Sequence, residues 1–295
     1  MFYYYTMNIE TYQKKFNNLN NKEIYKMGFD TIMKKNKTTT DNIYNYNYYY
    51  GNTQRAEYLP LLINTINKSK NKLNILDIGG GSGSLIEYCL SNTINKNISI
   101  DLIEPIETYV KQYYKISKKH NININNDFQS YEEFNQYSNK KYDFILLIHS
   151  IYYFMDNVES FVTNLKKILN KDGKIIILFN DIEISDMGKF ENIYLKNYNK
   201  KISETKKLKI FLKKLSNKYI KQDCYFYSDT IFNLIPTLFI YNIVKPNNEK
   251  NFDINFIKYA FNYIKENITI ENRNILQKNL YRLYQPHIYI EISHK

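Results

Sequence analysis

Half of the glycines in this chain fall within five residues. Of eight glycines among 295 residues, four are Gly79, Gly80, Gly81 and Gly83, inside the segment LNILDIGGGSG that runs from Leu73 to Gly83. An apolar run that carries Asp77 near its end and then meets closely spaced glycines is a buried strand entering a sharp turn. Glycine is wanted where the chain turns tightly and where backbone must approach a ligand with no side chain between them. The residues from Ser84 to Thr93 continue as a helix. In an open α/β sheet, a loop of this kind at the carboxyl end of a strand is where ligands bind. The spacing DxGxGxG is more informative than GxGxxG, whose closing position is occupied here by Ser84.

The same alternation continues along the chain. Ile98 to Ile103 is a second strand ended by Glu104 and Pro105, and a helix follows from Ile106 to about Ser117. Asn121 to Phe128 is a short third strand. Tyr142 to Ser150 is a fourth, nearly all apolar, as a strand buried on both faces should be. A helix from Val158 to Leu169 is closed by Asp172-Gly173, and Lys174 to Phe179 is a fifth strand. Strands alternating with helices of this length make a parallel, doubly wound α/β sheet with helices on both faces. Further on, Phe226 to Ile235 reads as helical and Thr237 to Ile243 as a strand. Two amphipathic helices follow at Ile254 to Ile268 and Ile270 to Tyr284, and HIYIEI (His287 to Ile292) alternates as a last strand. Residues 1–56, rich in Tyr and Asn, form a helical or irregular extension or lid. Residues 57–295 form one domain with helical insertions between 185 and 285.

Composition narrows the function classes. The 41 Lys+Arg against 29 Asp+Glu give a net charge of +12, which raises the question of a nucleic acid partner. Arginine is the better reader of phosphate and guanine, yet the chain has only Arg55, Arg273 and Arg282. Enrichment in Lys, Asn, Ile, Tyr and Phe together is what an AT-rich coding sequence produces. The lysine-rich run from Lys200 to Lys218 therefore reads as the solvated face of a helix. Two cysteines, Cys89 and Cys224, cannot build a disulfide scaffold, and His120, His149, His287 and His294 stand apart, so no metal site is expected. The longest apolar stretch, Ile231 to Val244, is too short and too polar for a bilayer, and the start MFYYYTMNIE is unlike a signal peptide; the expectation is cytoplasmic, with no membrane partner.

A second acid joins the glycine loop. Glu104 ends the next strand 25 residues after Gly79, where a carboxylate can accept both hydroxyls of a ribose. Loop and acid together favour a nucleoside-bearing cofactor. The succession LDIGGGSG, DLIEP, NDF, YDFILLIHSIYYF and DGKIIILF resembles the class I S-adenosylmethionine-dependent methyltransferases, over roughly residues 57–180. The triple glycine, the Glu-Pro pair, the IYYF segment and the long tail are more narrowly similar to the histamine N-methyltransferase-like group, although Gln stands there where this chain has His149.

The resemblance implies a Rossmann-like seven-stranded sheet with an antiparallel last strand, and S-adenosyl-L-methionine as cofactor. It places Asp77 and the backbone of Gly79, Gly80, Gly81 and Gly83 against the methionyl and ribose parts. Glu104 would hold the ribose hydroxyls and Tyr109 would lie near the adenosine. Asp127, Phe128 and Ser130 would meet adenine, while Ile148 and His149 would border the sulfonium and the acceptor. Tyr152 and Tyr153 would offer aromatic faces to a cation.

Methyl transfer from a sulfonium needs alignment more than a base, so the expected acceptor is a small molecule presenting an amine or imidazole nitrogen. His149 would serve as base if the acceptor were a hydroxyl. An RNA methyltransferase or RNA-binding relative, and a catalytically silent partner protein, are the alternatives. Monomer and dimer are both compatible with the sequence. The segment His149-Ser150-Ile151-Tyr152 lacks the Asn/Asp-Pro-Pro-aromatic signature of base-amino methylation.

Overall fold

The computed structural model describes residues 54–93, 97–137, 140–194, 199–228, 231–232, 234–235, 238, 254–273 and 278–294. In chain order the elements are α1 (Gln54–Asn67), β1 (Lys72–Ile78), α2 (Ser84–Ser91), β2 (Asn97–Ile103), α3 (Glu107–Lys119), β3 (Asn123–Phe128), α4 (Tyr131–Tyr137) and β4 (Tyr142–Ile148). A 3-10 helix (Ile151–Asn157) leads to α5 (Val158–Lys167), β5 (Leu169–Asn180), a second 3-10 turn (Ile182–Ile184), α6 (Asp186–Tyr194), α7 (Asn199–Leu215), β6 (Lys218–Gln222) and β7 (Tyr225–Ser228). The tail carries α8 (Ile254–Asn267), β8 (Thr269–Arg273), β9 (Lys278–Tyr284) and β10 (His287–Ile292). The chain divides into two units.

The larger unit comprises residues 57–181, 203–222 and 287–295. Its seven strands lie in the order β3-β2-β1-β4-β5-β10-β6, the first five parallel and β10 antiparallel to both neighbours. This is the doubly wound sheet with an antiparallel last strand. Apolar alternation accounts for it: in β4, Tyr142, Ile145 and Leu147 enter the core on one face, while Phe144 and Leu146 enter the core on the other. Each such side chain, fully buried, contributes roughly 1.5 to 3 kcal/mol. Because β2 lies on one side of β1 and β4 on the other, the chain reverses its direction of winding at β1 and β4. The cleft at such a switch point is where doubly wound sheets take ligands. It brings the loops after β1, β2 and β4 to one edge.

Two sequence readings in this unit need correction. Asp172-Gly173 does not separate a helix from a strand; it lies inside β5, where the pairing with β4 shifts register. A Cβ at Gly173 would stand 2.7 Å from the Tyr142 carbonyl oxygen, so the bulge requires glycine. The edge strand β6 was not read as a strand at all, because KYIKQ carries too little apolar alternation.

The smaller unit comprises residues 1–56, 182–202 and 223–286. It is not purely helical. β7, β9 and β8 form an antiparallel sheet in that order, and the expected helix from Ile270 to Tyr284 is instead the β8–β9 pair. Leu280 and Leu283, both fully buried, are three apart and imitate a helical repeat. Cross-strand pairs decide the outcome: Ile270 opposes Tyr281, Phe226 opposes Leu283, and the Tyr225 and Tyr284 rings lie 5.4 Å apart. The start of the expected helix at Phe226 is likewise strand β7. Ile231, Phe232, Leu234 and Ile235 are helical as expected, and α8 follows its helical reading, with Ile257, Ala260 and Ile264 buried as one stripe. The N-terminal extension up to residue 53 lies outside the described residues, as does the strand expected at Thr237 to Ile243 apart from Leu238, which is helical rather than extended.

Candidate active site

The glycine loop is built from positive dihedrals and close approaches. Gly79, Gly81 and Gly83 have φ of 71°, 58° and 75°, values that a residue with a Cβ adopts only under strain. At Gly79 a Cβ would sit 2.6 Å from the Ser150 Cβ. At Gly80 it would meet Leu102, Asp77 Oδ2 and Tyr113 at 2.6, 2.8 and 2.9 Å. Gly81 is different, because no atom of the described residues lies within 4 Å of the Cβ position. The loop is thus tight on its protein side and open at Gly81, a cradle of bare backbone. Gly79 N–H donates to the Ile103 carbonyl (2.7 Å), and the Ser150 hydroxyl donates to the Ile78 carbonyl (2.5 Å). These bonds tie the loop to β2 and to the segment after β4.

Glu104 is 6% exposed, so it is not a surface acid. Its Oε2 accepts the Gly81 N–H at 2.9 Å and its Oε1 accepts the Ile106 N–H at 3.0 Å. A carboxylate has about four lone-pair sites, so both oxygens retain capacity for hydroxyl donors. Asp77 is buried at 4% exposure. Burial pushes its carboxyl up to about 6; the Tyr113 hydroxyl, donating to Oδ2 at 2.8 Å, opposes that rise and nearby Glu104 adds to it. An acid of this kind gains most from a cation brought against it.

Tyr113 is the residue that the sequence reading missed. The expectation fell on Tyr109, which is half-buried one turn earlier in α3. Tyr113 is fully buried, its ring would be struck by a Cβ at Gly80 or Gly83, and burial together with Asp77 holds its phenol well above the usual range. In the sequence, the signal was an aromatic on the buried stripe of α3, indistinguishable from 30 other tyrosines.

The third-strand residues do not converge on one point. Asp127 is exposed and accepts the Tyr114 hydroxyl at 2.8 Å. Phe128 is half-buried with its ring edge-on to Phe134 at 5.4 Å. Ser130 is occupied as a helix cap: its Oγ accepts the Glu133 N–H at 3.1 Å while Glu133 accepts the Gln129 N–H, a reciprocal cap that starts α4.

After β4, Ile148 is half-buried and His149 takes a left-handed φ of 61°. Non-glycine residues rarely do so without reason, and such strain collects at functional sites. The ring centroid of His149 is 5.0 Å from His287 and 6.2 Å from Tyr58. Burial lowers its pKa to about 4, so the imidazole is neutral at physiological pH. That environment sets the imidazole below the near-neutral range expected from the sequence. Tyr152 is committed inward, its hydroxyl oxygen accepting the Asn180 N–H at 2.5 Å, whereas Tyr153 is 84% exposed. Among the described residues no three His, Cys, Asp or Glu side chains come together in a metal-binding group.

The cradle at Gly81, a buried acid that can hold a cation, and a strand-end carboxylate with spare lone pairs fit the ammonium and ribose of S-adenosylmethionine. Residues 50–207 match a family profile described as a methyltransferase domain. No curated protein sequence matches the chain, so the narrower likeness to histamine N-methyltransferases gains no support. Among solved structures, YjhP from E. coli is similar at 11% identity with a TM-score of 0.50, over 92% of this chain and 100% of that one. YcgJ from Bacillus subtilis is similar at 13% identity with a TM-score of 0.48, over 80% and 98%. A methyltransferase from Thiobacillus denitrificans in complex with S-adenosyl-L-homocysteine gives 12% and 0.43, over 79% and 90%. Only the first reaches a score that carries an argument, and what it carries is the fold. The profile, spanning more than half of the chain, decides the family: the chain belongs to the methyltransferase domain family and is an S-adenosylmethionine-dependent methyltransferase.

Proposed function

We propose that the chain methylates a small molecule at nitrogen. The observation that carries this reading is the neutral, half-buried His149 at the end of β4, whose Nε2 is out of reach of solvent. A nitrogen acceptor brings its own lone pair, and methyl transfer to it asks the protein for alignment and exclusion of water rather than for a strong base. Correct placement alone can supply about 7 to 11 kcal/mol of barrier reduction. A hydroxyl acceptor wants a base near neutrality, and a histidine held at about 4 is a poor one.

When bound, S-adenosylmethionine supplies an electrophilic methyl group on a sulfonium. The chain's own residues divide the remaining work. Asp77 would neutralise the ammonium, Glu104 would orient the ribose, the glycine backbone would admit the donor closely, and His149 would border the acceptor. Asp127 and Phe128, exposed and half-buried on the third strand, remain candidates for the adenine side.

The RNA alternative finds little in the charge distribution. Lysines sit in scattered pairs: Lys140 with Asp101 at 3.0 Å, Lys174 and Lys218 with Glu291 at 2.7 and 3.2 Å, and Lys209 with Asp181 at 3.0 Å. Lys206, Lys207, Lys213 and Lys214 of α7 are exposed on one helix whose Leu208 and Leu212 are buried. That is the solvated face expected from the sequence. No helix of the described residues is long and apolar enough to cross a membrane.

The test is formation of S-adenosylhomocysteine from S-adenosylmethionine by the full chain against small amines, imidazoles, phenols and RNA oligonucleotides. The nitrogen compounds should turn over, with no histidine step near pH 6.5 in the rate profile. Turnover confined to phenols, and lost in His149→Asn, would replace the nitrogen reading with an oxygen one; turnover confined to RNA would replace both.

A further inference from the structure

Of the six buried side-chain nitrogen and oxygen atoms that lack a hydrogen-bond partner among the described residues, three belong to two residues at the ends of β4 and β5. His149 Nε2 is out of reach of solvent and has no partner, and neither Asn180 Oδ1 nor Asn180 Nδ2 has one either, although Asn180 is 1% exposed. Buried polar groups in native proteins are almost always paired, and the exceptions mark ligands, waters or strain. Asn180 ends β5, directly opposite His287 of β10. Residues paired across antiparallel strands point to the same face, and His287 contacts both His149 and Tyr58 on that face. Tyr152 holds the backbone at this point through the Asn180 N–H. His149 carries a left-handed φ as well. Strained backbone and orphaned polar atoms therefore coincide at the carboxyl ends of β4 and β5, beside the Ser150 that packs on Gly79.

Resting on the methyltransferase reading, we propose that His149 and Asn180 form the acceptor-recognition site, and that it takes an uncharged group able both to donate and to accept hydrogen bonds, such as a nitrogen heterocycle or a carboxamide. A neutral imidazole offers one donor and one acceptor, and an amide offers a carbonyl and two N–H donors. The three unpaired atoms, one imidazole nitrogen and both ends of an amide, complement a group of mixed character. They do not compensate a full charge. The lowered pKa of His149 owes to burial with no neighbouring charge contributing, in keeping with a site lacking a counter-ion. A protonated amine or a carboxylate would lose its hydration there without a partner. The site thereby selects within the nitrogen acceptors: a ring nitrogen or amide is favoured over an alkylammonium.

The test uses the full chain saturated with S-adenosylhomocysteine, at pH 8.5. With four histidines in the chain, the His149 ring signal in a proton–carbon NMR spectrum is assigned by its loss in His149→Ala. Imidazole and acetamide, titrated as neutral probes, should move that signal saturably with dissociation constants on the order of millimolar, as suits ligands of so few atoms. Asn180→Ala should weaken them at least about fivefold, while the affinity for S-adenosylhomocysteine, read by calorimetry on the same samples, stays unchanged. Methylammonium and acetate should leave the signal in place. Equal binding of methylammonium, unaltered probe affinity in Asn180→Ala, or a His149 signal that no probe moves would each overturn the proposal, the last leaving the cluster to bound water. Absence of S-adenosylhomocysteine binding would instead strike the methyltransferase reading, and the calorimetry separates the two failures.

Discussion

The ends of β1 and β2 and the ends of β4 and β5 lie along the same sheet edge, but their polar groups are treated in opposite ways. On the first side the buried carboxylates already have partners: Glu104 holds the Gly81 and Ile106 amides, and Asp77 holds the Tyr113 hydroxyl. On the second side His149 Nε2 and both ends of the Asn180 amide are unpaired among the described residues. A site whose donors and acceptors support one another is rigid before ligand arrives, which keeps the entropy of ordering out of the binding step. A site with orphaned groups is complete only when something else joins it. The first arrangement suits an invariant cofactor, and the second suits a substrate that comes and goes.

The largest effect should come from the loop itself. Gly79→Ala combines left-handed strain with a Cβ contact of 2.6 Å, so it should destabilise the fold by about 2 to 5 kcal/mol in urea melts and abolish cofactor binding. Gly81→Ala has the same sign of φ but open space, and should lose only about 1 kcal/mol. Equal losses in the two variants would show that the loop is not held by the contact with Ser150.

Asp77→Asn should trade stability against binding. The folded carboxyl titrates at about 6 instead of 3.8, so as pH rises through that window the unfolded chain ionises first and the fold loses up to about 3 kcal/mol, fully above pH 6 and not at all below pH 4. The Asn variant should therefore melt higher at pH 7.5, show little change at pH 4, and bind S-adenosylhomocysteine at least about tenfold more weakly. A lower melting point at pH 7.5 would mean that the ionised carboxylate is already compensated.

On the opposite side, Asn180→Leu removes two orphaned groups while keeping the branched shape, and should raise stability by about 1 to 2 kcal/mol without altering cofactor affinity. Any drop in stability would indicate a partner for the amide. The smallest effect is expected for Tyr113→Phe. Losing the hydroxyl removes what opposes the rise of the Asp77 pKa, so the pH below which cofactor affinity falls should move upward from about 6, with little change at pH 8.

The contrast also explains what the sequence could reveal. Glycines, strand-end acids and an apolar strand are local signals, and they led to Asp77, the glycine loop, Glu104 and the doubly wound sheet. Asn180 was invisible because its meaning depends on β10, more than a hundred residues later, and on His149 across the sheet. Tyr113 differed from Tyr109 only in which face of α3 is buried. In the smaller unit, Leu280 and Leu283 satisfied a helical repeat until cross-strand partners for β9 overrode it. His149 was located by its position in the chain, but its protonation was set by burial, which no local pattern reports.

Calorimetric titration of S-adenosylhomocysteine into the wild-type chain and Glu104→Gln tests the central claim most directly. The Gln variant keeps one acceptor for the loop amides and removes the charge and the second acceptor. One-to-one binding by the wild type, weakened at least about tenfold in a variant that still melts cooperatively, is the predicted result. No binding by the wild type, or equal affinity in the two proteins, would contradict the account.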